Sequence, residues 1–349
     1  MLNAMREGLT FDDVLLIPKK GIISSRKEAS LKTKLTRNIE IDIPLVPVAM
    51  DTVCESEMAI AFAKKGSIGF IHRYLTIEDQ ANEVRKVKKL NLRVGAAIGI
   101  NGDCIERAES LINAGADVLQ IDVSHAHSSM SIEVIKEIKR KFRIDLIAGA
   151  IASRQAAIDL IKAGVDGLYV GIGLGTICTT RIVTGFGVPQ ITALMDIYEH
   201  TKNTDVPIIS TGGITKSGDI VKALAAGADA VVIGSLFAGS DECPGETIEK
   251  NGTMYKAYNG MASRNSSSKI YKINNEKDPD EMLHSEGVDA YVKYKGPVAG
   301  IIDRLLLGVK SGISYGGGKD IRSLRANAEF IRMTKAGLNE SLPHDVEFM

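Results

Sequence analysis

Short apolar runs alternate along the chain with longer segments whose apolar residues recur at helical spacing. The runs that predict strands cover residues 44–50, 68–72, 94–98, 118–123, 145–150, 167–171, 207–211 and 230–234. The amphipathic segments that predict helices include 77–90, 105–114, 132–141, 154–163, 192–202 and 217–226. Strands that alternate with helices in this way are typical of right-handed βα units with a buried parallel sheet.

A short phrase, Ala-Gly-x-Asp, occurs three times, each time just before an apolar run. The copies begin at Ala114, Ala163 and Ala226. Each copy is typical of a helix that ends at a glycine cap and is followed by a buried strand. Eight candidate strands with interleaved helices favour an α/β fold of the closed (β/α)8 type, a TIM barrel, over an open doubly wound sheet.

The segment after the eighth predicted strand has a different character. Residues 259–285 are polar and show no clear period, which predicts a long mobile flap. Helical patterning returns at 298–310 and 320–334, and residues 335–349 are expected to form a C-terminal arm. Since no linker is evident, a single barrel domain over residues 1–349 is predicted.

The balance of charge narrows the range of partners. The 349 residues include 43 Lys and Arg against 43 Asp and Glu, which does not suggest a nucleic-acid or membrane partner. No stretch approaches the ~18 consecutive apolar residues of a membrane span. The four cysteines, Cys54, Cys104, Cys178 and Cys243, form no CxxC pair, so a reducing, cytoplasmic setting without zinc or disulfides is expected.

The active site of a barrel lies at the C-terminal ends of its strands, where this sequence places glycines and small polar residues. Residues 171–176 contain three glycines whose backbone amides are able to approach an anion. Residues 211–213 (Thr-Gly-Gly) follow the seventh predicted strand, and residues 234–235 (Gly-Ser) follow the eighth. Loops at these two places commonly bind phosphate in barrels, so a phosphate site is predicted there.

Cys178 lies just beyond the glycine-rich loop, in a position typical of a helix start. Backbone amides there, together with Arg181, favour a lowered thiol pKa and a reactive thiolate. Spacing alone leaves a buried structural cysteine as the more frequent alternative. The other three cysteines lack a glycine-rich context and are expected to be structural.

Spacing also leaves two acidic candidates open. Asp122, after the fourth predicted strand, is a candidate for binding a sugar hydroxyl. A metal site at His125 and His127 is disfavoured, because the sequence places no third ligand. Glu286, near the end of the flap, is either an acid or base brought in by flap closure or an ordinary solvated carboxylate.

Taken together, these residues resemble the IMP dehydrogenase and GMP reductase family, over nearly the whole chain. The segments that carry the resemblance are 8–18 (Gly-Leu-Thr-Phe-Asp-Asp-Val-Leu-Leu-Ile-Pro), 50–53 (Met-Asp-Thr-Val), 171–181, 184–190 (Thr-Gly-Phe-Gly-Val-Pro-Gln), 260–261 (Gly-Met) and 294–297 (Tyr-Lys-Gly-Pro). The resemblance implies that Cys178 attacks C2 of a purine nucleoside monophosphate, GMP or IMP. Hydride then passes between C2 and a nicotinamide cofactor, NADPH or NAD.

The resemblance implies roles for further positions. Thr180 and Glu286 match the pair that relays protons. Positions that hold the nucleotide are matched by Met50, Thr176, Thr211, Gly212, Gly213, Gly234, Ser235, Tyr258, Gly260, Met261 and Ala262. Positions on the cofactor side are matched by Asp122, Ser124 and Ala150.

A monovalent cation, K+, and a homotetramer are also implied. Gly173, Gly175 and Cys178 match positions whose backbone oxygens hold the cation. Glu340 and Ser341 of a neighbouring subunit would complete that site in the dehydrogenase branch.

The two branches of the family catalyse different reactions. The flap lacks the Arg-Tyr pair that activates water in dehydrogenases, residues 260–263 (Gly-Met-Ala-Ser) are closer to the reductase form, and residues 75–93 leave no room for a regulatory insertion. These features favour a GMP reductase, which converts GMP and NADPH to IMP, ammonia and NADP. The tail 336–346 and the segments 181–183 and 188–192 favour the alternative, an IMP dehydrogenase, which converts IMP, NAD and water to XMP and NADH.

Four positions depart from the family pattern. Thr211 stands where an Asp usually grips both ribose hydroxyls, Ala150 replaces Asn, Val48 replaces Ser and Leu174 replaces Pro. The loss of a charge-assisted hydrogen bond typically costs ~1.5–3 kcal/mol, so weaker nucleotide binding is expected. A degenerate paralogue that binds nucleotide without turnover is therefore a third alternative.

Overall fold

The computed structural model describes residues 5–274, 285–343 and 346. Its strands, in chain order, are β1 (Val14–Leu16), β2 (Thr33–Lys34), β3 (Glu40–Ile41), β4 (Leu45–Pro47), β5 (Phe70–Ile71), β6 (Gly95–Ile98), β7 (Val118–Asp122), β8 (Asp145–Ile151), β9 (Gly167–Val170), β10 (Ile208–Thr211), β11 (Ala230–Ile233), β12 (Thr247–Lys250), β13 (Thr253–Asn259), β14 (Asp289–Lys293) and β15 (Phe330–Arg332). Its helices are α1 (Ser56–Lys64), α2 (Ile77–Lys88), α3 (Cys104–Asn113), α4 (Ser129–Lys141), α5 (Arg154–Ala163), α6 (Thr180–Thr184), α7 (Gln190–Thr201), α8 (Ser217–Ala225), α9 (Arg264–Asn274), α10 (Val298–Tyr315), α11 (Ile321–Asn327) and α12 (Lys335–Glu340).

Strands β4 to β11 form one parallel sheet of eight strands that curls into a nearly closed barrel. From β5 to β11, strands adjacent in the chain are adjacent in the sheet, and β11 pairs with β4, with Val231 opposite Leu45. Strands β4 and β5 are the two ends of this sheet. At least one helix connects each of these strands to the next. The predicted (β/α)8 barrel is therefore confirmed, and its predicted strands differ mainly at their ends.

Alternation along each strand separates the barrel interior from the layer of helices. In β9, Leu168 and Val170 pack outwards against the helices, whereas Tyr169 belongs to the cluster inside the barrel. Leu35 and Ile41, from the hairpin formed by β2 and β3, join the same interior cluster. The interior is thus filled with side chains, and a site has room only where the strand-end loops begin.

The three Ala-Gly-x-Asp repeats share one role at the N-terminal end of the barrel. Each aspartate accepts a hydrogen bond from a backbone amide at the start of the preceding strand: Asp117 from Val94 at 2.9 Å, Asp166 from Leu146 at 2.8 Å and Asp229 from Ile208 at 2.9 Å. Each also pairs with a cation: Lys88 at 2.9 Å, Lys139 at 2.6 Å and Arg325 at 3.0 Å, respectively. We call these three contacts the strand latches, since each ties one βα unit to its neighbour.

The region after β11 differs most from the sequence prediction. Strands β12, β13 and β14 form an antiparallel sheet that was not predicted. The flap, 259–285, begins where β13 ends, and the expectation of no regular structure is wrong for α9 within it. Flap residues 275–284 lie outside the described residues.

The C-terminal part also departs from its predicted helical pattern. Residues 320–334 form α11 and then β15, which pairs antiparallel with β1 near the other end of the chain. The predicted arm, 335–349, begins with α12, and part of it is outside the described residues. One domain over residues 1–349 stays a prediction. Within the described ranges, no helix is both long and apolar enough to cross a membrane.

Candidate active site

A cavity of about 220 Å3 opens at the C-terminal end of the barrel, between the strand-end loops and the flap. Its walls bring together most of the predicted site residues: Met50, Asp122, Ser124, Ala150, Gly173, Gly175, Cys178, Thr180, Thr211, Gly212, Gly234, Tyr258, Gly260, Met261, Ala262 and Glu286. Predicted residues that do not line it are Thr176, Gly213, Ser235, Glu340 and Ser341. A wider cleft of about 790 Å3, near the N-terminal ends of β10 and β11, contains none of the predicted residues.

Cys178 is the half-buried member of a set of four cysteines whose other members are buried. Burial raises the pKa of each of the other three thiols, which keeps them protonated and unreactive. Arg181 fixes the loop around Cys178 by donating to the carbonyl oxygens of Ile172 at 3.0 Å and Val188 at 2.6 Å. Cys178 therefore lies just before α6, held in place but open to the cavity.

The flap end supplies a carboxylate to this cysteine through a short hydrogen-bonded line. The Cys178 sulfur lies 3.2 Å from the Thr180 hydroxyl oxygen. The same hydroxyl donates to Glu286 Oε2 at 2.8 Å, across a separation of 106 residues in the chain. We call this line the relay, since a proton is able to pass along it between carboxylate and thiol.

Backbone pairing between the cysteine loop and the flap end sets the geometry of the relay. Cys178 and Gly287 face each other in an isolated antiparallel bridge. The Thr179 amide donates to the Glu286 carbonyl at 2.9 Å, and the Val288 amide donates to the Ile177 carbonyl at 3.0 Å. Glu286 is thus placed by a β-bridge rather than by a free loop.

The paired glycines after β10, where an anion site is predicted, have a backbone conformation typical of glycine. Gly212 and Gly213 have φ values of +82° and +75°, a backbone conformation that side chains with a Cβ rarely adopt. Leu174 packs over both, because a Cβ on Gly212 would lie 2.9 Å from its Cγ. Gly234, after β11, faces the buried Tyr258 hydroxyl, which would lie 2.7 Å from a Cβ there. The two loops therefore place glycine backbone close to Leu174 and to a tyrosine hydroxyl.

The floor of the cavity contains a polar group that the sequence did not single out, Tyr169. Burial raises the pKa of its phenol and nearby Asp122 adds to the rise, whereas polar interactions with Thr211 and Gln120 oppose it. Because side chains alternate along a strand, Tyr169 must lie on the face of β9 opposite to Leu168 and Val170. The sequence alone does not show which of the two faces is the barrel interior.

Asp122 lies on the opposite side of the cavity from the paired glycines, three strands away in the sheet. Desolvation raises the pKa of its carboxyl group, and the charges of Arg73 and His72 oppose this rise. No hydrogen bond to its carboxylate is found within the described residues. Its oxygens are therefore available to a ligand hydroxyl. Ser124 is exposed at the same edge, and Ala150 is half-buried beside it.

Two contacts that the sequence did not predict hold the first part of the flap on the barrel. The Tyr74 hydroxyl donates to the Met261 carbonyl at 2.8 Å. Asp51, only 6% exposed, pairs with Lys269 of α9 at 2.5 Å and accepts from Ser266 at 3.1 Å. Asp51 lies inside the Met-Asp-Thr-Val segment that carries part of the family resemblance. That segment marks the position of Asp51 but does not predict that Lys269 is its partner.

The two histidines after β7 lie in different environments. His127 interacts with Asp159 at 3.0 Å, and His125 is exposed. Among the described residues, no group of three or more His, Cys, Asp or Glu side chains is placed to hold a metal. The cation site implied by the resemblance stays a prediction; in the cysteine loop, the Gly175 carbonyl accepts the Cys178 amide at 3.0 Å. Glu340 and Ser341 are exposed at the end of α12.

Comparisons with known proteins agree with the family resemblance seen in the sequence. A family model described as the IMP dehydrogenase / GMP reductase domain matches residues 8–344. The chain is 45% identical to inosine-5'-monophosphate dehydrogenase of Borreliella burgdorferi, over 98% of both chains. It is 34% identical to a GMP reductase of Leishmania donovani, over 99% of this chain and 98% of that protein. A crystal structure of a cysteine-to-alanine variant of GMP reductase from Trypanosoma brucei, in complex with guanosine 5'-monophosphate, superposes with a TM-score of 0.94 at 32% identity, covering 99% of both chains.

Proposed function

Because the chain belongs to the IMP dehydrogenase / GMP reductase family of purine nucleotide oxidoreductases, we propose that it is a GMP reductase with Cys178 as its nucleophile. The observation that carries the proposal is the relay from the Cys178 thiol through Thr180 to Glu286. Covalent catalysis requires a nucleophile within hydrogen-bond reach of groups that manage its proton. The relay meets that requirement inside the cavity.

In the proposed reaction, the Cys178 sulfur attacks C2 of GMP, and the 2-amino group leaves as ammonia. The relay takes the proton of the Cys178 thiol through Thr180 to Glu286 and delivers it to the amino group as it departs. The reduced nicotinamide, when bound, supplies a hydride. C2 accepts the hydride, the carbon–sulfur bond breaks, and IMP and the thiolate are released. C2 gains two electrons and the nicotinamide loses two.

The nucleotide is proposed to lie across the cavity, with its base beside Met50, Met261 and Ala262. Its phosphate then reaches the loops after β10 and β11, where Thr176, Gly213 and Ser235 complete a phosphate cradle from outside the cavity wall. The nicotinamide cofactor enters from the side of Ser124 and Ala150. The Asp122 carboxylate fits a cofactor hydroxyl there, because the described residues leave both of its oxygens unbonded.

The branch assignment depends on the flap. Residues 259–285 contain no Arg-Tyr pair, and the relay ends on a carboxylate that is suited to take up the thiol proton and pass it to a leaving amine. A second candidate, IMP dehydrogenase, is favoured by the higher identity to the Borreliella dehydrogenase than to the Leishmania reductase. In that direction hydride leaves C2 first, and water then releases Cys178 from the nucleotide.

Two absorbance assays at the reduced-nicotinamide band separate the candidates. We expect loss of NADPH absorbance when GMP is added, with ammonia formed in equal amount. Appearance of NADH with IMP and NAD, and no reaction with GMP, would replace the reductase by the dehydrogenase. Silence in both assays, with a folded protein that still binds nucleotide, would support a degenerate paralogue.

A potassium ion and a homotetramer are proposed as well. Uncharged carbonyl oxygens, as offered by Gly173, Gly175 and Cys178, are ligands that hard cations accept. Glu340 and Ser341 of a neighbouring subunit would complete this set. The assay run in KCl and in tetramethylammonium chloride tests the ion, and equal rates would contradict it. Sedimentation at equilibrium tests the tetramer.

A further inference from the structure

We propose that the sugar subsite does not read the 2′-hydroxyl, so that 2′-deoxynucleoside 5′-monophosphates are substrates with an efficiency close to that of ribonucleotides. This inference rests on the proposed function, which fixes the two ends of the nucleotide. It goes further by naming the class of sugar that the site accepts.

The position of the sugar follows from the positions of the base and the phosphate. The base must bring C2 to Cys178, and the phosphate reaches the cradle at Gly212 and Gly234. Thr211 directly precedes Gly212 and lines the cavity between these points. The sugar must therefore pass over Thr211.

The wall around this passage is mostly apolar. Leu174 lies against Gly212, and Val48 would contact a Cβ on Gly234 at 3.2 Å. Val232 also lines the cavity beside Val48. Thr211 is the polar side chain of this wall, and it opposes the rise that burial causes in the pKa of the Tyr169 phenol.

Neither carboxylate of the cavity is placed to serve the sugar. Glu286 accepts the Thr180 hydroxyl at 2.8 Å beside the nucleophile. Asp122 is on β7, three strands from Thr211 on β10. A cis-diol is usually selected by an ionised acceptor, because charge-assisted hydrogen bonds are about twice as strong as neutral ones.

The layer beneath Thr211 is neutral too. Tyr169 is 6% exposed and Gln120 is 3% exposed, and both carry uncharged polar groups into the barrel interior. The carboxylate nearest to this layer, Asp122, acts on Tyr169 from three strands away in the sheet. A neutral hydroxyl such as that of Thr211 distinguishes the two sugars by only about tenfold or less.

The test measures kcat/KM for GMP and for 2′-deoxy-GMP on the full chain. IMP and 2′-deoxy-IMP are the matched pair for the alternative, the dehydrogenase reaction. We expect the two sugars to differ by about tenfold or less. A preference of more than about a hundredfold for the ribonucleotide would overturn the inference while leaving the proposed function intact.

Protection of Cys178 from alkylation by iodoacetamide gives a readout that does not need turnover. Equal protection by GMP and 2′-deoxy-GMP without reaction would support the sugar inference and overturn the reductase. Protection by neither nucleotide would overturn both.

The variant Thr211→Asp sharpens the result, since it adds the missing ionised acceptor at one position. We expect it to shift the ratio of kcat/KM values toward the ribonucleotide by about tenfold or more. Thr211→Val is the matched control, because it removes the hydroxyl at similar volume and should change both substrates alike. An unchanged ratio in a folded Thr211→Asp protein would count against a sugar positioned over residue 211.

Discussion

The two ends of the barrel differ in whether their side-chain contacts repeat from one βα unit to the next. At the N-terminal end the same solution is used three times, since each strand latch joins an aspartate, a strand amide and a cation. At the C-terminal end every loop is different, and one cysteine, one hydroxyl and one carboxylate meet at a single point. Repetition thus marks residues that hold the strands together, and singular residues mark the site of chemistry.

The largest effect that tests this contrast is expected from Cys178→Ala. Loss of the nucleophile should lower kcat by about 10⁴-fold or more, while the free energy of unfolding changes little because the thiol is half-buried. Steady-state turnover and urea unfolding of the same preparation measure both quantities. Residual activity near that of the unaltered protein would remove the proposed mechanism.

Loss of the carboxylate in Glu286→Gln should have the next largest effect. Because this change keeps the shape but ends the relay at a neutral amide, kcat should fall by about 10²–10⁴-fold.

Thr180→Ser should retain most activity and Thr180→Val should not, since only serine keeps the hydroxyl. Glu249→Gln, on the exposed face of β12, is the matched control and should behave as the unaltered chain does. Equal rates for Glu286→Gln and Glu249→Gln would contradict the relay.

At the other end, Asp166→Asn should cost stability rather than activity. The buried Asp166 carboxylate accepts the Leu146 amide at 2.8 Å and pairs with Lys139 at 2.6 Å. Removal of its charge should lower the free energy of unfolding by about 2–4 kcal/mol, with kcat per folded molecule unchanged. Asp205→Asn provides the control, because Asp205 is exposed and pairs with Arg37 at 3.2 Å, so a loss of about 0–1 kcal/mol is expected. A large fall in kcat for Asp166→Asn would contradict a purely structural role for the strand latches.

The smallest effect concerns Asp320, which caps α11 near the latch of Arg325. Its side chain accepts the Ser323 amide at 2.7 Å, and hydrogen bonds from Ser323 lower the pKa of the carboxyl group. Since the folded-state pKa lies below the ordinary value of 3.8, this stabilisation is complete above that value and is lost as pH falls through the folded pKa. Asp320→Ala should cost about 1 kcal/mol at pH 7.

Urea unfolding of Asp320→Ala and the unaltered chain from pH 7 down to pH 3 checks the sign. The difference between them should be constant to about pH 5 and shrink below pH 4. A difference that grows in acid would show that the carboxylate is not stabilised by the cap.

The barrel was predictable because its signals are local and repeated. Apolar runs recur with each βα unit and the Ala-Gly-x-Asp phrase recurs three times, so an error at one strand does not change the fold. Strands β12 to β14 were missed because they are polar and partly exposed. Helix α9 was missed because its polar residues hide the helical period, while Asp51 and Lys269, which anchor it, are far apart in the chain.

The site was predictable only where its residues are neighbours in sequence. Cys178 stands beside a glycine-rich loop, and Thr180 is two residues away. Glu286 reaches them through pairing between distant segments, so spacing could not separate a relay from a solvated carboxylate. Tyr169 was missed for another reason, since it looks like any other residue of a buried strand.

The bridge between Cys178 and Gly287 links the surroundings of the Cys178 thiol to the pairing of two backbone segments. Any movement of the flap end that breaks its two hydrogen bonds also carries Glu286 away from Thr180. In the proposed mechanism, docking of the flap end and completion of the proton path would be one event instead of two, and a Cys178 thiol beside a displaced flap end would lack its proton partner.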